Sequence, residues 1–324
     1  MKVIESGVEI LEQQPGIVGM FKHIEKVART SYHSENLITD DSYIKFCGML
    51  KSRGHWACFE HGTVYLRIPK FPEHVESVYF KNNPYTQFTE DCGFYYFTTN
   101  YREILHYCDQ NDKDSEELLN KFWSEPDQNF KRRVTSKWIC SRGVSHELVR
   151  HRVFVHLQAS QRYIAYDIEK NGGEITFIMP QWVYKIQEEV ASTVDSLTGE
   201  SRDYIRDLEG QALWDKLATI DRTIASRDDF WKTCEKEYIW ERQNEEATKL
   251  KPEDARGVLC NDVMTEVCMT GFLSDYIYKP SNTTEKAGFF FLRCASDAHP
   301  DFRVLAQDLQ NQFNKKFNTN ENIE

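Results

Sequence analysis

Three consecutive basic or protonatable residues, Arg150-His151-Arg152, lie in a segment that the sequence places between two strands. The pattern before them predicts a strand over residues 136–142 and a short helix that begins at Ser145, a residue type favoured at N-caps. The next predicted strand is 176–180. We therefore expect the three side chains at a helix end and in the loop that leaves it, a position where two guanidinium groups and an imidazole can hold phosphate oxygens.

The chain around this motif is acidic. Its formal net charge is −11, which disfavours attraction to a nucleic acid polymer because the phosphate backbone favours proteins of positive charge. A basic motif in an acidic chain indicates a local site for a small phosphorylated ligand, and Ser160 and Arg162 would reach the same ligand. The alternative is that the cations form surface salt bridges.

Length and composition predict one large domain. The 324 residues are 40% hydrophobic and 13% aromatic, which is enough for a sizeable core in a single domain over residues 1–324. No apolar run approaches the roughly 18 residues that a membrane span needs. The first residues lack the basic and apolar segments of a signal peptide, so we expect a cytoplasmic protein.

The nine cysteines form an odd set without a C-x-x-C pair. This pattern argues against a zinc ribbon and against a disulfide framework. We expect reduced, mostly buried thiols and no metal site. Cys294 has no neighbouring base in the sequence and is not predicted to be a nucleophile.

The secondary-structure pattern predicts an α/β protein of the α+β type, with a central, mostly antiparallel sheet flanked by helices. Charged residues with helical periodicity predict long helices within 184–249. Residues 69–100 look irregular apart from one strand, and 111–128 look peripheral, so we predict an insert at about 69–128. The remaining predicted elements are helices over 17–30, 43–52 and 101–107 and strands over 62–68 and 93–98.

Several blocks, in the same order along the chain, resemble the signature of the flavin-dependent thymidylate synthases. The central one is Arg150-His151-Arg152 followed after seven residues by Ser160-Gln161-Arg162-Tyr163. The others are Ala28-Arg29-Thr30-Ser31-Tyr32, the G-H-x-x-x-F-E-H loop over residues 54–61, and the segments 142–149, 255–259 and 292–300. A single motif would remain a weak hypothesis, whereas ordered matches along the chain are specific.

The resemblance implies a thymidylate synthase-complementing-protein-like fold and a homotetramer with active sites between subunits. It implies a transferase of dTMP biosynthesis, a methyltransferase and flavoprotein that converts dUMP to dTMP. Methylenetetrahydrofolate would supply the methylene group for C5 of dUMP, and reduced FAD, regenerated by NADPH, would supply a hydride. The cofactor carries the redox chemistry in such enzymes. No nucleic acid polymer and no membrane is implied as a partner.

The resemblance also assigns roles to individual residues. Arg293 corresponds to the catalytic arginine that contacts the uracil and favours ionisation at N3, because a fixed guanidinium stabilises negative charge on the ring. The positions that bind dUMP are Glu147, Arg150, Gln158, Ser160, Gln161, Arg162 and Arg293. The positions that bind FAD are Ser31, His55, Glu60, Arg150, His151, Arg152 and Gln158.

Four positions depart from the family pattern. Val155 stands where the family usually has Ser, Leu157 and Ala159 replace polar or acidic residues, and Glu266 stands where some members have Arg toward the nucleotide phosphate. Two alternatives therefore stay open. The same fold could act on a modified pyrimidine nucleotide, since a pocket that loses polar groups changes what it accepts. It could also bind flavin or nucleotide with little turnover.

Overall fold

The structure is a computed structural model that describes residues 1–162, 164–168, 173–184, 188, 208–244, 249–282 and 286–317. The strands are β1 (Lys2–Ile4), β2 (Gly7–Leu11), β3 (Thr63–Pro69), β4 (Gln87–Asp91), β5 (Phe94–Asn100), β6 (Arg133–Ser141), β7 (Val155–Gln158), β8 (Thr176–Ile178) and β9 (Met264–Phe272). The helices are α1 (Gly16–Thr30), α2 (Ser42–Ser52), α3 (Val75–Asn82), α4 (Tyr101–Tyr107), α5 (Asp112–Phe122), α6 (Arg142–Leu148), α7 (Leu208–Gln243), α8 (Pro252–Ala255), α9 (Leu273–Ile277), α10 (Phe289–Arg293) and α11 (Pro300–Phe317). Short 3-10 helices cover Glu35–Leu37, Trp56–His61 and Arg256–Val258.

Two antiparallel sheets organise the fold. The first has the strand order β2-β6-β9-β7, and the second has the order β3-β5-β4. This arrangement confirms the predicted α+β class with antiparallel sheets flanked by helices. A short parallel pair, β1 with β8, was not expected from the sequence.

One face of the first sheet packs against the C-terminal helices. Trp138 on β6 and Val267 and Met269 on β9 are fully buried there together with Phe289 of α10 and Phe302 of α11. Successive residues of a strand point to opposite faces, so Lys137 and Cys268 face the other side. The long β6–β9 pairing, from Arg133↔Phe272 to Ser141↔Met264, forms the centre of the first sheet.

The second sheet has its own core. Strand β5 pairs with β3 over its full length, and Phe97 and Leu66 meet side chains of α1, α2, α4 and α5. Residues 69–100 are therefore more regular than predicted, because they contain α3 and β4 besides β5. The prediction that 111–128 is peripheral was wrong for α5, since Leu118, Leu119 and Phe122 are buried in this core.

A third core lies under the long helix α7. Phe177 of β8 stacks on Trp231 of α7 at 5.3 Å between ring centroids, and Tyr238 is fully buried beside them. Helix α7 lies within the predicted range 184–249, of which 185–187, 189–207 and 245–248 lie outside the described residues. No helix in the part of the chain that the structure describes is long and apolar enough to cross a membrane.

Two predictions near the basic motif were wrong in detail. The helix before the motif begins at Arg142 and is capped by Ser141, whose hydroxyl accepts a hydrogen bond from Val144 N at 3.3 Å, so Ser145 is not the N-cap. Ser145 is fully buried and bonds Arg142 O instead. Residues 155–158, expected as a loop, form β7 because β9 offers an unpaired edge.

Candidate functional site

The basic motif begins two residues beyond the end of α6, a helix that starts directly from the first sheet. Strand β6 ends at Ser141 and α6 follows at once, with Gly143 N donating to Asn261 O at 3.1 Å. After α6, His151 N donates to Leu148 O at 3.2 Å, and β7 starts four residues later. The site is thus built between two strands of the first sheet and not on a long loop.

The structure brings Arg293 to the motif from 142 residues away. Arg293 Nε donates to His151 Nε2 at 2.7 Å, and Arg293 Nη1 donates to Glu147 Oε2 at 3.0 Å. The guanidinium carbon lies 4.7 Å from the centroid of the Phe302 ring, within cation–π range. Arg293 is 22% exposed and Glu147 is 37% exposed, so the pair is partly open to solvent.

His151 accepts a hydrogen bond in this cluster and is therefore neutral. Its ring lies 5.0 Å from the ring of Phe289 and 6.3 Å from that of Phe302. Burial, followed by the charge of Arg293 and the nearby His156, lowers the pKa of His151 to about 4. At neutral pH its Nε2 carries a lone pair for Arg293, and the ring proton is on Nδ1.

Arg150 and Arg152 differ from Arg293 in their surroundings. Both are exposed, and neither side chain makes a hydrogen bond or an ion pair with any described residue. The alternative that these two cations serve surface salt bridges is thus not seen in the described part of the chain. Two guanidinium groups without a protein counter-ion are free to meet an anionic ligand.

The second half of the motif is a turn in which Ser160 Oγ accepts a hydrogen bond from Arg162 N at 3.3 Å. Arg162 Nε donates to Glu253 Oε2 of α8 at 3.2 Å, with the two side chains 55% and 36% exposed. Gln161 between them is 7% exposed. Arg162 therefore has a carboxylate beside it before any ligand arrives. Tyr163, which completes the motif, lies outside the described residues.

Gln158 lies on β7 with its side chain against α6 and β9. Its Nε2 donates to Ser145 Oγ at 2.9 Å and to Thr265 Oγ1 at 3.2 Å. Both amide hydrogens are thus used by the protein. The carbonyl oxygen is the part of this side chain that could contact a ligand.

The three remaining residues predicted to bind FAD lie around the end of α1 and the 3-10 helix Trp56–His61, which contacts β7. Ser31 Oγ is buried and has no hydrogen-bond partner among the residues described. His55 Nδ1 lies 2.5 Å from Tyr32 Oη. Glu60 pairs with Arg102. Among the described residues, no side-chain hydrogen bond or ion pair joins Ser31, His55 or Glu60 to the basic motif.

Three of the departures from the family pattern concern packing. On β7, Val155 faces Thr270 and Leu157 faces Cys268 of β9. Leu157 packs against the buried cluster of Leu11, Val27 and Cys268. Ala159 is 6% exposed in the third core. Leu157 and Ala159 thus pack in the protein interior, and Val155 is half-buried on β7, so these three side chains do not by themselves indicate an altered ligand.

The fourth departure, Glu266, belongs to an ion cluster. Lys137 Nζ on the neighbouring strand lies 3.3 Å from Glu266 Oε2 and 3.3 Å from Glu35 Oε1. Burial raises the pKa of the Glu266 carboxyl, and Lys137 opposes that effect. In this structure the Glu266 carboxylate therefore forms an ion pair with Lys137 on the neighbouring strand of the same sheet.

Sequence reasoning missed a buried polar chain behind the site. His23 Nε2 lies 3.0 Å from Thr135 Oγ1, which lies 2.7 Å from Thr270 Oγ1, and His61 Nδ1 completes the chain at 2.7 Å from Thr270. It joins α1, β6, β9 and the 3-10 helix. Its members are far apart in sequence, so local spacing gave no signal. Across the described residues, no group of three or more His, Cys, Asp or Glu side chains could hold a metal ion.

Cys294, next to Arg293, has the properties of a packing residue. Burial raises the pKa of its thiol to about 11, so little thiolate is present at neutral pH. Six of the nine cysteines are buried, as expected, namely Cys47, Cys58, Cys108, Cys140, Cys234 and Cys268. The site therefore offers guanidinium, imidazole and carboxylate groups rather than a nucleophilic thiol.

Fold and site together define a mixed α/β protein with an arginine-rich site next to its main antiparallel sheet. Residues 133–318, more than half of the chain, match the family model described as thymidylate synthase complementing protein. The chain therefore belongs to the thymidylate synthase complementing protein family, and the resemblance to flavin-dependent thymidylate synthases is confirmed.

One curated relative is the flavin-dependent thymidylate synthase of Clostridium tetani (strain Massachusetts / E88). It is 27% identical over 176 residues, which are 54% of this chain and 55% of that protein. The chain thus spans about half the length of this relative in the match.

Two solved structures of a UMP/dUMP methylase, PolB from Streptomyces cacaoi, are also similar. The one bound with 5-Br UMP has a TM-score of 0.37 at 12% identity and covers 97% of this chain and 92% of its own. The one bound with 5-Br dUMP has a TM-score of 0.36 at 12% identity, with 97% and 93% covered. Superpositions this weak do not establish a common fold, which rests here on the elements described above.

Proposed function

We propose that this protein is an enzyme that methylates dUMP reductively to dTMP. Methylenetetrahydrofolate would supply the one-carbon unit, and flavin reduced by NADPH would supply the hydride that completes the methyl group. The observation that carries the proposal is the contact of Arg293 with His151 and Glu147. Side chains that are 142 and 146 residues apart in sequence meet at one place, inside the range that matches the family.

The residues present fit a flavin dinucleotide. Arg150 and Arg152 are exposed cations without a protein partner in the described part of the chain, which suits the phosphates of FAD. Ser31 Oγ is a buried hydroxyl without a partner among those residues, which suits a polar atom of a ligand. His55, Glu60, His151 and Gln158 would complete the contacts. When bound, the flavin supplies hydride chemistry that no side chain of the protein can provide.

In the proposed complex the nucleotide lies between Arg293 and the turn at Ser160. Arg162 binds the phosphate, Ser160 donates a hydrogen bond, and Arg150, Gln158 and Gln161 make further contacts. Arg293 contacts the uracil and stabilises negative charge on the ring, which makes C5 a better nucleophile. The contact of Arg293 with the ring of Phe302 restrains the guanidinium, so little reorganisation is needed when that charge develops.

We further propose that the protein is a homotetramer whose active sites lie between subunits. The support is the family resemblance together with the open setting of Arg150 and Arg152. Light scattering coupled to size-exclusion chromatography tests the oligomeric state, and a monomer would contradict this part of the proposal.

The decisive assay incubates the purified protein with FAD, NADPH, methylenetetrahydrofolate and dUMP and measures dTMP. We expect dTMP to form, and we expect the protein to be yellow with flavin absorbance. Protein that binds flavin normally and forms no dTMP would refute the proposal. UMP and modified pyrimidine nucleotides, offered in the same assay, then decide whether the substrate differs or turnover is absent.

A further inference from the structure

Arg133, the first residue of β6, contacts the end of the 3-10 helix Trp56–His61. Its Nη2 donates to Glu60 O at 2.9 Å, and its Nη1 makes longer contacts of 3.5 Å with Thr63 Oγ1 and Thr99 O. The last carbonyl groups of a helix lack partners within the helix. An arginine donor suits them, because its positive charge also meets the negative end of the helix dipole. Arg133 thus forms a C-terminal cap on this helix.

The capping guanidinium is a cation without an ion pair. Among the described residues, no carboxylate lies within ion-pair distance of Arg133, and its guanidinium carbon lies 5.8 Å from the centroid of the Phe272 ring. Burial lowers the pKa of the Arg133 guanidinium to about 10, so it remains protonated at neutral pH. A charge in such surroundings costs stability that an apolar side chain of similar size would not cost. The contacts that the guanidinium makes therefore explain an arginine at this position better than packing does.

The capped helix belongs to the segment that the family resemblance assigns to the flavin. His55 directly precedes this helix, and Glu60 lies near its end. Their side chains bond Tyr32 and Arg102, and no side-chain bond between described residues joins them to the basic motif. Their placement relative to the motif therefore depends on the backbone. Strand β6 connects the two regions, because its first residue caps the 3-10 helix and its last residue caps α6.

We propose that Arg133 is a positioning residue of the flavin site. By capping the 3-10 helix, it holds His55 and Glu60 where a flavin dinucleotide can contact them, while Arg133 itself touches no ligand. The identity of the ligand rests on the proposed function. The cap rests on the contacts of Arg133 alone.

Hydrogen–deuterium exchange in Arg133→Ala tests the cap without a ligand. Amide exchange should rise about tenfold in Trp56–His61 and stay unchanged in α6, because a charged hydrogen bond is lost at one place only. Arg132→Ala is the matched control, since Arg132 is the adjacent, exposed arginine and its side chain has no partner among the described residues. Equal exchange in Trp56–His61 in the two variants would overturn the proposal, and so would an equal rise in α6.

Flavin binding tests the consequence of the cap. Arg133→Ala is expected to weaken FAD binding about tenfold, measured by titration with flavin fluorescence. Its dUMP affinity, measured by calorimetry at saturating FAD, should equal that of the wild type. Arg132→Ala should change neither affinity. Unchanged FAD affinity in Arg133→Ala, or equal losses of FAD and dUMP affinity, would overturn the proposal.

Chemical rescue separates a positioning role from a general loss of structure. Arg133 also borders a cavity of about 200 Å³, together with Thr63, Tyr65 and Trp123, so removal of its side chain leaves room for a small cation. In Arg133→Ala, millimolar methylguanidinium should restore part of the FAD affinity. Methylammonium at the same concentration should not, because it lacks the guanidinium fork. Equal effects of the two cations would overturn the proposal.

The positioning role and the proposed function fail separately. Wild type that binds no FAD, with exchange in Trp56–His61 raised in Arg133→Ala, would refute the flavin assignment and leave the cap in place. Formation of dTMP by wild type, with unchanged FAD affinity in Arg133→Ala, would refute the positioning role alone.

Discussion

Acid should destabilise this protein through the buried histidines behind the site. His23 is 4% exposed and His61 is fully buried, and each bonds a threonine of the central strands. Burial, followed by the charges of Lys26 and Arg133, lowers the pKa of His23 from 6.5 to about 3. Burial also holds the pKa of His61 well below its usual value, with His23, Arg133 and His156 adding to the effect.

The direction in which stability changes with pH depends on whether the folded or the unfolded chain binds the proton. Above pH 6.5 both the folded and unfolded chains hold these rings neutral, so the full stability is present. Below that pH the unfolded chain takes up protons while the folded chain does not, so stability falls until the pH reaches the folded pKa. At about pH 5 the loss is about 2 kcal/mol for His23, and His61 adds to it in the same direction.

Urea unfolding followed by tryptophan fluorescence at pH 7.5 and 5 measures this loss. In His23→Gln, where a neutral amide replaces the ring, the loss between the two pH values should be about 2 kcal/mol smaller than in wild type. His106→Gln, at an exposed histidine, is the control and should leave the loss unchanged. Equal losses in wild type and His23→Gln would refute the reasoning, because they would mean that His23 titrates alike in both states.

Two further substitutions test the site and the packing. Arg162→Ala should weaken dUMP binding by about tenfold with flavin binding retained, because the lost charged hydrogen bond to the phosphate is partly offset by the contact with Glu253 that it replaces; unchanged affinity would refute the proposed role. In Gly271→Ala the new Cβ would lie 2.2 Å from Phe154 Cδ1, so thermal unfolding should show a loss of about 1–3 kcal/mol. Gly48→Ala, with nothing within 4 Å of the added Cβ, is the control, and an equal loss there would contradict the packing argument.

The sequence predicted the elements that carry a strong local pattern. Helix α1 has apolar residues at helical spacing, and α4 was expected over the residues that form it, 101–107. Strand β7 was not expected, because Val155–Gln158 is short and only its partner β9 makes it a strand. The N-cap was misplaced because the helix follows β6 directly, and Arg142, predicted as the last residue of the strand, is already the first residue of the helix.

The candidate site also contains features that the sequence predicted and features that it did not. Arg150, His151 and Arg152 were recognisable because they are adjacent in sequence. The resemblance placed Glu147 and Arg293 in one nucleotide site, but their direct contact was not predicted, because it depends on how the fold brings α10 to α6. The neutral state of His151 was equally hidden, since it follows from burial and from the nearby charge of Arg293.

The ion pair of Arg162 with Glu253 makes phosphate binding at this position an exchange reaction. A phosphate that arrives at Arg162 must displace or share a carboxylate that already lies 3.2 Å from the guanidinium. The gain in binding free energy is then the difference between two charged contacts, which is smaller than either contact alone would give. Under the proposed function, Glu253 of α8 therefore limits how tightly the phosphate is held, and it favours release of the product nucleotide.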